Sequence, residues 1–244
     1  MEDSKGKKII ELINKVETLE GTKIIHMTQA LAVSQYTLNK NYEELKNSIT
    51  TYENDLSIWD MGRRRNLEAF LVEFSRLFHN YLSSIFSLIE HTRTFLNNLN
   101  NPQLRQEYYE KLENLKINEC VKFLKDLRTY VQHCNLSIVS AEFTLKRKNN
   151  DIKNPLEHKQ NLVIGKKELL KWGGWSFKSK NYIDKLENNV DLDIITIEYQ
   201  KLITEFYQWF YNIIGELYSD KIKEVLEIEK EIMKLEEQDD IKSS

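Results

Sequence analysis

Arg128 and His133 are the side chains in this 244-residue chain whose types and spacing could do chemistry. Imidazole titrates near neutral pH and can move a proton on or off a ribose oxygen, while a planar guanidinium can neutralise a crowded phosphate. Together they would suit cleavage of a phosphodiester without a metal. They stand in the run Asp126-Leu127-Arg128-Thr129-Tyr130-Val131-Gln132-His133. Five residues of ideal helix turn through roughly 140°, so an unbroken helix does not aim both side chains at one atom. Either the helix ends, for which Asn135-Leu136-Ser137 looks like a stop, or the site is composite. The plainer reading is that an Arg-x4-His spacing arises often by chance, with a structural Arg and a helix-terminal His resting against the dipole.

The element that must position the pair begins near Ile117. On an ideal helix Cys120, Val121, Leu124, Leu127 and Val131 fall on one side, and Arg128 lands at its margin. A guanidinium there is half buried and calls for an anionic or carbonyl partner, such as a carboxylate or a phosphate.

The elements around it read as helices. Seven Gly and two Pro leave little punctuation, and 30% of residues are charged, which with long periodic runs predicts a mainly α, long-helix up-and-down bundle. Lys+Arg 35 against Asp+Glu 38 gives a net charge of -3. There is no global basic footprint, so contact with nucleic acid would use a local cleft or arginine cluster. The two cysteines, Cys120 and Cys134, would lie about 21 Å apart along one helix and cannot pair there. With no apolar signal core and no apolar run approaching a membrane span, the expectation is a reduced, soluble, cytoplasmic protein.

In chain order, Glu2 to Glu20 predicts a short amphipathic helix closed by Gly21. A second helix runs from about Thr22 to Trp59, with the seam Leu38, Tyr42, Leu45, Ile49, Tyr52, Leu56, which could be internal packing or a dimer contact. Arg63, Arg64 and Arg65 follow a break at Met61-Gly62, as a solvated basic turn or a phosphate contact. The helix from Asn66 to Asn98 carries the strongest stripe, Leu67, Leu71, Phe74, Phe78, Leu82, Ile85, Ile89 and Leu96. From Leu77 to Ile89 it has no charged residue, so both faces should be covered. Opposite the stripe, Glu73, Arg76, Asn80, Ser84, Ser87 and His91 form a polar face that suits a cleft or a close helix crossing. No histidine or cysteine spacing fits a metal site.

A connecting helix from Leu104 to Leu115 leads into the Ile117 to His133 element. Leu136 to Leu145 and Asn161 to Gly165 then read as a small two-stranded hairpin across a long loop from Lys146 to Gln160, a wall or lid beside the Arg/His site. Trp172-Gly173-Gly174-Trp175, among Lys166, Lys167, Lys171, Lys178 and Lys180, suggests either an aromatic anchor packed into the core or base stacking. A last long helix starts near Asp191, with a break near Ser219-Asp220 and a tail to about Gln238.

The motif, together with Arg76-Leu77-Phe78-His79-Asn80-Tyr81-Leu82 and Glu90-His91-Thr92-Arg93 on an earlier helix, resembles the HEPN superfamily in its stand-alone bacterial members. The resemblance covers about Asn66 to Asn135 and, more loosely, the final long helix. It implies an α-helical dimer in which an Arg-x4–6-His motif from each subunit forms one cleft. Many members are metal-independent ribonucleases in toxin–antitoxin or phage-defence systems, and others only bind nucleotides or partners. Arg128 and His133 match the motif. Asn80 and His91 are candidates for the supporting polar residue, with Asp126 and Thr129 beside the motif. The residue after the motif Arg is commonly Asn, and here it is Thr129, which keeps a hydroxyl and loses an amide.

The expectation is therefore one HEPN-like helical domain over 1–244. It has N-terminal helices (1–60), motif-bearing core helices (66–135), a hairpin and loop insertion (136–180) and a C-terminal long helix (191–238). The function expected is endoribonuclease activity on RNA by Arg128 and His133 in a homodimer. No cofactor, metal or membrane contact is expected, and an antitoxin or other protein could be a partner. The alternatives are a non-catalytic nucleotide-binding or interaction module, or a helical adaptor.

Overall fold

A computed structural model describes residues 2–59, 64–115, 117–134, 138–147, 156–187 and 189–240. The order is α1 (Glu2–Thr18), α2 (Glu20–Asn54), a 3-10 turn (Leu56–Trp59), α3 (Arg64–Leu99), α4 (Pro102–Asn114), α5 (Ile117–His133), β1 (Val139–Arg147), β2 (Leu156–Ile164), α6 (Lys166–Leu169), α7 (Phe177–Lys185), β3 (Val190–Asp191), α8 (Leu192–Leu217) and α9 (Ser219–Asp240). The fold is mainly α with a small antiparallel sheet, as composition and periodicity predict.

The described residues group into two compact units. The first comprises 1–33, 91–108 and 207–244. Its core holds Ile24, Leu31, Phe95, Leu104, Phe210 and Val225, with the Phe210 ring meeting Phe95 and Tyr108 edge-on. Inside it a buried Thr92 hydroxyl shares a hydrogen bond with Tyr207. α1 and α9 run antiparallel, which the pairs Lys8 with Glu231 and Lys15 with Glu224 record. Gly21 has a different use from the one its sequence position suggests. The chain breaks at Leu19, and Gly21 lies within the first turn of α2, where a Cβ would stand 2.1 Å from the Lys221 carbonyl oxygen. Its lack of a side chain permits a helix crossing there rather than ending a helix.

The second unit comprises 34–90 and 109–206. Leu38, Leu45, Ile49 and Tyr52 of α2 are all buried, so this seam is internal packing, while Leu56 beyond the helix end is exposed. Along the charge-free stretch of α3, Ser87 alone is exposed between Leu77 and Ile89. Both faces are covered, as the missing charges require, because an uncharged segment loses little by leaving water.

The sheet is larger than the expected hairpin. β1 and β2 pair from Val139↔Ile164 to Arg147↔Leu156, so the strands extend into residues whose polarity suggests loop, with Lys146 opposite Glu157 as a charge-matched pair. β3 adds a short third strand through Val163↔Asp191 and Ile164↔Val190. Two residues give no periodicity to read, which hides β3 in the sequence. The expected positions at Met61, Gly62, Arg63, Asn135 and Pro155 lie outside the described residues.

The sheet is tied to α2 by Gln160, buried on β2. It accepts from the Trp59 indole N–H and donates to the Glu53 carbonyl. Phe143 of β1 packs on the Trp59 ring at 5.3 Å. These contacts satisfy the polar atoms of a buried amide and fix where the strands leave the helices.

Candidate functional site

α5 runs unbroken to His133, with Cys134 N–H closing on the Tyr130 carbonyl at 2.8 Å. Arg128 and His133 are thus separated by roughly 140° and about 7.5 Å of rise, and one chain does not bring them to one atom. His133 is exposed on the last turn, and Arg128 is half-buried.

Arg128 lies with its Cζ 4.4 Å over the centroid of Phe86 on α3, and the Lys125 ammonium approaches the same ring at 5.5 Å. Its Nε is buried without a hydrogen-bond partner, and among the described residues no acidic side chain pairs with it. The sequence predicts a half-buried guanidinium needing an anionic partner. The Phe86 ring covers one face of it, and no described residue provides the anion. Two cations three residues apart on α5 share one aromatic face, a cation–π arrangement. Phe86 and Lys125 are absent from the sequence-based site. Their signal was present in an aromatic within the charge-free stretch and a lysine one helical turn before the motif arginine.

Asp126 has another task. It is buried at 8% exposure. Its Oδ2 accepts from the Ser176 N–H at 3.0 Å and the Ser179 hydroxyl at 2.7 Å, and its Oδ1 from Lys122 at 3.2 Å. Ser176 in turn caps α7, accepting from the Ser179 N–H. Burial by itself would raise the Asp126 carboxyl, but the hydrogen bonds from Ser176, Ser179 and Lys122 outweigh it and hold the group below its ordinary value. This carboxylate joins α5 to α7, and α7 is the helix that the Gly- and Lys-rich sequence conceals.

Thr129 is exposed and its hydroxyl returns to the Lys125 carbonyl. Asn80 is half-buried in the second unit, and His91 is exposed in the first. The polar face of α3 closes largely on itself: Arg76 pairs with Glu73, and the Ser84 and Ser87 hydroxyls donate to the Tyr81 and Ser83 carbonyls. Arg65 is exposed. Arg63 lies outside the described residues, as does the Arg64 side chain.

Trp172 and Trp175 pack against each other at 4.7 Å and on Tyr130 of α5, with Trp175 also on Phe123. The Trp175 indole N–H donates to the Leu169 carbonyl. The pair is an anchor. A Cβ on Gly174 would stand 2.4 Å from the Trp172 ring, so the turn needs glycine there.

Cys120 is buried, which pushes its thiol up to about 12, and Cys134 is exposed. An open groove of about 1150 Å³ runs over the other face of the sheet. It is lined among others by Glu142, Asp191, Lys159 and Lys166, a mixture of signs with no net pull on a phosphate, and neither Arg128 nor His133 reaches it. Among the described residues no group of His, Cys, Asp or Glu could hold a metal ion, and no helix is long and apolar enough to cross a membrane.

The class defined by these observations is a mainly α protein with a small antiparallel sheet and an arginine–lysine–aromatic cluster on α5 and α3. No family model matches the chain, and no curated protein or solved structure matches it.

Proposed function

We propose that the protein is a metal-independent endoribonuclease of the bacterial defence or toxin–antitoxin type, active as a homodimer in which Arg128 of one copy faces His133 of the other. The observation that carries this is the half-buried Arg128 held with Lys125 on Phe86, two cations that no acidic side chain pairs with among the described residues. An RNA phosphate supplies the missing charge and accepts from the planar fork. His133, exposed at the end of α5, takes the proton from the ribose 2′-hydroxyl. The 2′-oxygen attacks phosphorus, and the bond to the 5′-oxygen breaks as that oxygen takes a proton from water. The product is a 2′,3′-cyclic phosphate. Arg128 stabilises the charge that builds on the phosphorane.

The second reading is a non-catalytic HEPN-like module that binds a nucleotide or a protein partner through the same cluster. The unbroken α5, which parts the two side chains within one chain, favours it. Incubation of the protein with RNA in EDTA separates the two. Cleavage to cyclic-phosphate ends, abolished in both Arg128→Ala and His133→Ala, is expected. Both variants should keep the helical circular dichroism, because removing Arg128 strands no buried carboxylate. RNA left intact by the wild type, or cleaved equally by both variants, ends the nuclease reading.

A further inference from the structure

Phe177 is 80% exposed, more than any other large hydrophobic side chain among the described residues. Single exposed apolar residues are ordinary, and what sets this one apart is how it is held and what surrounds it. It is the first residue of α7, between Ser176 and Ser179, both of which donate to the buried carboxylate of Asp126. The backbone beneath the ring is therefore fixed to α5, and the ring is presented outward on a rigid support.

The surrounding segment 166–180 carries five lysines and one acid, Glu168. Lys171 pairs with Glu168, and the Lys166 ammonium is held by the carbonyls of Asp184 and Leu186. Lys178 and Lys180, one and three positions after Phe177, are exposed, and among the described residues no acid pairs with them. The two tryptophans of the segment are occupied in packing on Tyr130. Phe177 is the aromatic face left over.

We propose that Phe177 is a base-stacking platform for single-stranded RNA, with Lys178 and Lys180 contacting the phosphates on either side of the stacked base. This rests on the RNA reading above and names the form of RNA. In a duplex each base is already covered by its neighbours, whereas a splayed single-stranded base offers its face to an aromatic ring flanked by cations. A membrane surface is the poorer match. α7 is only nine residues long and turns Ser179 and Ile183 inward, so one phenylalanine does not make the broad apolar face that interfacial helices use.

The test uses the whole wild-type chain and a fluorescent 2′-O-methyl oligouridylate, which cannot be cleaved through the 2′-oxygen. Phe177→Ala should weaken binding roughly 5- to 150-fold, the range for loss of one stacked base. Phe177→Trp should restore it, and a duplex of equal length should bind more weakly. Because the side chain is exposed, thermal stability should not move, which keeps folding out of the comparison. Unchanged affinity in Phe177→Ala overturns the platform, and so does equal preference for duplex. Absence of oligonucleotide binding together with Phe177-dependent binding to phosphatidylserine vesicles overturns it in favour of a membrane. Cleavage in EDTA is scored separately. An uncleaved RNA whose mimic still binds through Phe177 leaves the platform standing and removes the nuclease, and cleavage unaffected by Phe177→Ala with unchanged affinity does the reverse.

Discussion

Asp126 illustrates how a residue beside a motif can be structural. Its carboxylate answers two donors at the start of α7 and one on its own helix, so Asp126→Ala would leave the part-buried Ser176 N–H and the buried Ser179 hydroxyl without their acceptor, at about 1–3 kcal/mol. Its folded pKa lies below the ordinary value. The stability it contributes is thus present above that ordinary value and lost as pH falls through the folded one. Chemical denaturation should show the wild type losing stability below about pH 4 more steeply than Asp126→Asn. Parallel pH profiles would mean that Asp126 is not held as described. The sequence marks Asp126, Arg128 and His133 as a run of interest, and it separates them poorly, because what distinguishes them is contact with Ser176, Ser179 and Phe86, which lie 40 or more positions away.

At the scale of elements, long helices were readable because a period of 3.6 persists over many turns, and the bounds of α5 match those expected from its apolar spacing. α7 and β3 were not, since each is short and held by another element: α7 by Asp126, β3 by the edge of β2. The expected two-stranded hairpin became three strands for that reason. Gly21 belongs to this scale too. Its missing Cβ sits against the backbone of Lys221, which cannot swing aside. Gly21→Ala should lower stability by about 1–3 kcal/mol through overpacking, whereas Gly6→Ala, with nothing within 4 Å of the new Cβ, should be neutral or stabilising by up to about 1 kcal/mol. Equal melting temperatures for the two would show that α2 and α9 do not approach as closely as described.

At the scale of the whole molecule, a divided motif makes a demand on assembly that a complete site does not. If Arg128 of one copy works with His133 of the other, Arg128→Ala and His133→Ala chains are each dead alone, yet their mixed dimer contains one intact site. Equal mixing followed by exchange should recover up to about a quarter of wild-type cleavage, half the dimers being mixed and each having one of two sites. No recovery, with exchange verified by light scattering and mass-tagged chains, would place both side chains in one subunit's site or in none. With a net charge of -3, the proposed RNA binding would have to come from local clusters, so removing a few lysines should shift its salt dependence strongly.

The two thiols differ in a way that gives the protein a built-in optical address. Cys120 is sealed in the core with its ionisation suppressed, and Cys134 is open to solvent directly after His133. Since only thiolates attack maleimides and haloacetamides at useful rates, a dye offered to the native chain should attach once, and a second time only after denaturant is added. Mass spectrometry of the adducts checks that count, and two labels on the native chain would contradict the burial of Cys120. A fluorophore attached there sits at the end of α5 without any engineered residue. Energy transfer between labelled copies would then read the separation of the two helix ends as RNA is added, turning a question of assembly into a distance.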